Sequence, residues 1–157
     1  MENSLDLRQQ RGFTLTEILI AVAILAVMVS VAIPSFERHR QRTLILRAVS
    51  DIGLMSVAIN NYQVENMNLP PSLAAVGYGN RMDPWDRPYE YLNLGAKKGN
   101  GQARKDKKLA PLNSDFDLYS RGKDGLTQGP LNAKASRDDV VRARDGKFIG
   151  FATDFDP

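Results

Sequence analysis

The chain has 157 residues, 43% of them hydrophobic and 25% charged, with 21 Lys and Arg against 18 Asp and Glu. That is ordinary for one small domain plus an extra segment, and a formal charge of +3 does not by itself call for a nucleic-acid partner. Zero cysteines exclude disulfides, thiolate metal sites and cysteine nucleophiles, and a single histidine, His39, leaves no basis for a histidine triad or cluster.

The first element is the apolar run Phe13–Ile33, which follows a polar flank ending in Arg8, Arg11 and Gly12. As a helix at 1.5 Å per residue it would span about 31 Å, the thickness of a hydrocarbon core. It is longer than the apolar part of a secretory signal, and Val31-Ala32-Ile33 before Pro34 is a poor cleavage site for one. The arginines favour a cytoplasmic N-terminus. Within the run the only charge is Glu17. An ionisable group in a membrane is costly and ordinarily has a partner there. If the chain were cut between Gly12 and Phe13, the new α-amine of a neighbouring chain, shifted along the axis, could be that partner. An uncleaved signal anchor and a self-assembling helix both remain open on these residues.

The stretch "RGFTLTEILIAV" resembles the processing signature of type IV pilins and of type II secretion pseudopilins. The resemblance implies that a prepilin peptidase removes residues 1–12 between Gly12 and Phe13, and that Phe13 is then N-methylated. It implies that Glu17 registers subunits in a helical homopolymer and that Pro34 kinks the helix. The implied fold is α+β and pilin-like: a long kinked N-terminal helix on a small antiparallel sheet, with a C-terminal metal-binding loop. Residues 1–12 would be the leader, 13–33 the transmembrane and assembly helix, 34–66 its amphipathic half, and 67–157 a globular periplasmic region. The implied partners are an inner-membrane assembly platform and minor pseudopilins, with the chain a single-pass inner-membrane protein before it joins a periplasmic filament.

After Pro34 the basic stretch Arg38–Arg42 reads either as a solvated collar or as a contact near headgroups or filament neighbours. Ala48, Ile52, Met55, Ile59 and Tyr62 then mark one apolar face of a helix, extended upstream by Leu44 and Ile45. The helix is expected to end near Asn66–Asn68, before Pro70-Pro71. "DPWDRPYEY" reads as a proline-rigid turn that buries Trp85 and leads into a strand near Tyr89–Leu94. It is similar to the "DPWGxPYxY" segment of the major pseudopilin of type II secretion, with Asp86 where that family has glycine. "GAKKGNGQARKDKK", residues 95–108, carries six basic residues and one acidic and reads as an exposed loop. It has no interleaved aromatic residue for nucleic-acid stacking and no phosphate-loop ending.

Asp115–Ser120 alternates as a strand with Phe116 and Leu118 on one face. The turn Gly122-Lys123-Asp124-Gly125 follows, and Asp138-Asp139 returns thirteen residues later. Calcium takes six to eight oxygens in a loose shell, which such a loop could offer. The bare spacing is equally that of a plain Asp-Gly turn, and Ser136-x-x-Asp139 also reads as the capped start of a short helix. "DLYSRGKDG…DD" resembles the pseudopilin calcium loop. The resemblance implies a structural calcium held by the side chains of Asp124, Asp138 and Asp139 and the carbonyls of Arg121 and Leu126. Arg121 departs from the usual leucine, and the stretch before Asp138 is longer than the family's. The tail reads as a turn at Asp145-Gly146 and a last strand through Phe148, Gly150 and Phe151.

The expected function is therefore a non-enzymatic subunit of a type II secretion pseudopilus, with a major or minor pilin of a type IV pilus as the alternative. A membrane-anchored enzyme finds no nucleophile–base pair in the chain. A DNA receptor would rest on the lysines of 97–108 alone.

Overall fold

The computed structural model describes residues 12–96 and 102–156. The expected leader therefore lies outside the described residues except for Gly12, as does the 97–101 part of the basic loop. A single α-helix, α1 (Leu15–Asn66), continues through Pro34 without interruption. The chain divides into two compact units, Met1–Arg40 and Gln41–Pro157.

In the first unit every large apolar side chain from Phe13 to Phe36 is exposed. This part of α1 is long and apolar enough to cross a membrane, and none of it is buried within the protein. In mid-run the Ser30 hydroxyl donates to the carbonyl of Val27 at 2.7 Å, which satisfies it within the helix.

In the second unit, the helical spacing of four, three and four buries Ala48, Ile52, Met55 and Ile59 completely. They pack on an antiparallel sheet of four strands in chain order: β1 (Glu90–Asn93), β2 (Phe116–Ser120), β3 (Val140–Ala143) and β4 (Phe148–Phe151). The side of the sheet facing α1 carries Phe116, Leu118 and Val140, with Tyr91, Ile149 and Phe151 around them. Leu112, Leu131, Val141, Ala143 and Ala152 form a second cluster with Tyr119 and Phe148. Each large side chain removed from water here contributes roughly 1.5–3 kcal/mol.

A buried carboxylate also fastens the helix. Asp51 accepts from Arg81 at 2.5 Å and from the Tyr89 hydroxyl at 3.0 Å. Burial and then the Asp51 charge push the Tyr89 phenol well up, so it stays a donor. Asp83 organises the following turn by accepting from the backbone of Trp85 and Arg87 and from Ser120 Oγ. Asp86 holds φ at 61°, so the left-handed geometry suited to glycine survives the exchange; Asp tolerates it better than most residues. Trp85 is only half-buried, packed on the edge of the core.

Two expectations are overturned. No helix starts at Ser136–Asp139: the Ser136 hydroxyl is taken by the backbone N–H and carbonyl of Gln128, and Val140-Val141 enter β3. Nor is the basic stretch all exposed, because Ala103 and Arg104 are buried and Lys105 forms a parallel bridge with Pro130.

Glycine 53 sits inside α1 where an added Cβ would meet nothing within 4 Å. Glycine in a helix interior costs roughly 0.5–1 kcal/mol relative to alanine. Gly53→Ala should therefore raise stability by about that amount, read from denaturant or thermal melts of the full chain in detergent.

Candidate functional site

The N-terminal site is built around the start of α1. Gly12 and Phe13 precede the helix and are exposed, Phe13 at 82%. Among the described residues a Cβ at Gly12 would meet nothing within 4 Å, so their packing does not require glycine there. Glu17 is engaged locally. Its Oε2 accepts from the backbone N–H and the hydroxyl of Thr14, both at 2.9 Å, and Thr14 Oγ1 accepts from the Glu17 N–H at 3.3 Å. This reciprocal Thr-x-x-Glu pair is a capping box, a signal plain in "TLTE" that the reading of the apolar run passed over. One carboxylate oxygen is thus spent on the helix start, and among the described residues the other has no hydrogen-bond partner. Pro34, four residues before Arg38, has its carbonyl bonded by Arg38 Nε at 3.2 Å.

The C-terminal site is the loop between β2 and β3. Gly122 has φ at 61° and lies so close to Asp138 that a Cβ would stand 1.9 Å from its carbonyl oxygen. Asp124 N donates to Asp138 Oδ2 at 2.8 Å, and Leu126 N donates to Asp124 Oδ1 at 2.7 Å. Asp124 and Asp138 thus do meet. The Arg87 guanidinium bonds the carbonyls of Gly122 and Lys123 at 2.8 and 3.3 Å.

Asp139 goes elsewhere. Its side chain is fully buried, with Oδ2 accepting from Arg104 Nη2 at 2.5 Å and from Thr127 Oγ1 at 2.7 Å. Arg104 also donates from Nη1 to Thr127 Oγ1 and, at 2.8 Å, to the carbonyl of Gln128. Its guanidinium stacks 4.3 Å from the Tyr119 ring centroid, and its backbone N–H donates to buried Asp117 at 2.7 Å. Burial pushes the Asp139 carboxyl up to about 6, against the lowering by Arg104 and the Thr127 hydroxyl. Arg121 directs its guanidinium to Glu90 at 2.5 Å, and the Leu126 side chain is exposed.

Asp139 Oδ1 has no hydrogen-bond partner and is one spare buried oxygen. It does not complete the expected shell: among the described residues no three acidic or histidine side chains converge as a metal site. The three carboxylates divide, two on the Gly122 turn and one on an arginine, so the residues present do not fit the calcium arrangement the resemblance implies.

Residues 7–33 match the prokaryotic N-terminal methylation motif. The chain is 28% identical over 146 residues to type II secretion system core protein G of Pseudomonas aeruginosa, covering 80% of this chain and 92% of the relative. It is 30% identical over 143 residues to the protein of that name in Vibrio cholerae, covering 78% of this chain and 87% of the relative. The chain belongs to the type II secretion system core protein G family. A Pseudomonas aeruginosa fimbrial protein is 33% identical over 66 residues, 42% of this chain and 43% of that protein, so the pilus likeness is the narrower one. No solved structure matches the chain. Within this family the long helix and four-stranded antiparallel sheet are the pilin-like fold expected from the sequence.

Proposed function

We propose that the chain is a structural, non-catalytic subunit of a type II secretion pseudopilus. In this reading a prepilin peptidase cuts between Gly12 and Phe13, Phe13 is methylated, and residues 13–33 hold the subunit in the inner membrane with the N-terminus cytoplasmic. The globular region then faces the periplasm, and subunits polymerise through α1 with Glu17 setting the register, on a membrane platform and alongside minor pseudopilins. The observation that carries it is the family membership along most of the chain, joined to the methylation motif over residues 7–33. Gly12 is exposed ahead of the helix, which supports a cleavage site there. DNA binding through residues 97–108 loses Arg104, whose guanidinium is committed to Asp139.

Intact mass of membrane-extracted protein, expressed with and without a prepilin peptidase, tests the first step. The expected peptidase-dependent product is residues 13–157 plus one methyl group, and Gly12→Val should stay at full length in both cells without loss of stability. A wild-type chain left at full length in both would remove it from this pathway.

A further inference from the structure

The loop joining β2 to β3 is long and contains three glycines and three aspartates, and no disulfide can hold it in a chain without cysteine. The resemblance would hold it with a divalent ion, yet Asp139 is withdrawn from the Asp124–Asp138 turn. What occupies its carboxylate is a side chain with a permanent positive charge. We infer that Arg104 is this protein's built-in cation, fixing the β2–β3 loop in place of a metal ion. This stands apart from the filament reading and does not depend on it.

The geometry carries the substitution in three ways. Arg104 is 3% exposed and delivers both arms of its guanidinium to one segment: Nη2 to Asp139, Nη1 to Thr127 Oγ1 and the Gln128 carbonyl. A carboxylate, a hydroxyl and a main-chain carbonyl are the oxygen types a hard cation would gather. The planar fork reaches them with fixed directions, which a lysine could not reproduce. Second, the arginine is itself anchored from behind, its N–H on Asp117 and its plane over Tyr119, both in β2. It therefore ties the loop to the sheet, the job a structural ion would do. Third, a divalent ion on Asp139 would have to sit beside this guanidinium, and like charges at such range in a buried site repel strongly. Arg87 completes the pattern on the other half of the loop, where its guanidinium holds the carbonyls of Gly122 and Lys123.

The test is thermal melting of the purified full chain in detergent, in excess calcium and in excess chelator, for wild type, Arg104→Gln and Arg104→Lys. Wild type should melt at the same temperature in both buffers, and metal analysis of the purified protein should find no stoichiometric calcium. Arg104→Gln should melt roughly 10 °C lower in both, the scale expected when one partner of a buried ion pair is removed. Arg104→Lys, which keeps the charge but not the fork, should lie between. A wild-type chain that loses stability in chelator, or that carries one calcium per chain, overturns the inference. So does an Arg104→Gln chain that melts like wild type. Should Arg104→Gln not fold at all, the wild-type buffer comparison and the lysine variant still decide the matter.

Discussion

Glu17→Gln is expected to reach the membrane, lose its leader at Gly12 and accumulate like wild type, yet to form no filaments. Glutamine can accept the same two hydrogen bonds from Thr14, so the capping box and the first turn of α1 persist. What it lacks is the charge. In the proposed filament that charge meets the α-amine of Phe13 in a neighbouring subunit, within an apolar layer where an unmatched amine is costly. Thr14→Ala makes the converse change, keeping the carboxylate and removing the hydroxyl partner. Sheared filament fractions and negative-stain images, alongside membrane levels of the subunit, separate the two roles. Filaments from Thr14→Ala but none from Glu17→Gln assign the residue to assembly. The reverse pattern would make Glu17 a helix cap and leave the register to other contacts.

That pair of roles shows where the sequence could be read and where it could not. Periodicity carried α1 almost unaided, because Ala48, Ile52, Met55 and Ile59 face one way on any regular helix. The strands β1, β2 and β4 were legible from alternation between turn residues. β3 was not: the local Ser-x-x-Asp cue argued for a helix start, whereas Val140 and Val141 are held between β2 and β4 by pairing on both sides. Their adjacent β-branched side chains were the signal for a strand buried on both faces. Arg104 was illegible for a different reason. In "GQARKDKK" it is one cation among several, and long-range contacts turn it inward: the parallel bridge of Lys105 to Pro130, its N–H bond to Asp117 and the Leu112 N–H bond to its carbonyl. No spacing rule links residue 104 to residue 139. The carboxylates of the expected calcium shell take different partners at the same point, since adjacency of Asp138 and Asp139 in sequence does not decide that both face one centre.

Three glycines answer the same question differently, and the largest effect belongs to Gly122. At Gly12 the surroundings are open and a side chain should alter processing alone; at Gly53 the helix should gain from alanine. At Gly122 an added Cβ would lie 1.9 Å from the Asp138 carbonyl oxygen and 2.5 Å from its carbon, both backbone atoms with no rotamer to escape into. The residue also holds φ at 61°, which costs an L side chain about 1–2 kcal/mol before any collision. Relieving the clash must part Gly122 from Asp138. That movement strains the Asp124 N–H bond to Asp138 and the Arg87 bond to the Gly122 carbonyl, each contributing on the order of 1 kcal/mol. Gly122→Ala should therefore cost on the order of 4 kcal/mol, a large share of the 5–15 kcal/mol typical of a whole domain. The loss should appear as a melting transition lowered by roughly 10 °C, together with a subunit that is processed normally but cleared by proteases. Because Asp138 adjoins Asp139 in the chain, the damage should also reach the Arg104 contact, and Gly122→Ala combined with Arg104→Gln should fall short of the sum of the two single losses. Strict additivity would mean that the turn at Gly122 and the arginine beside β2 hold the loop independently.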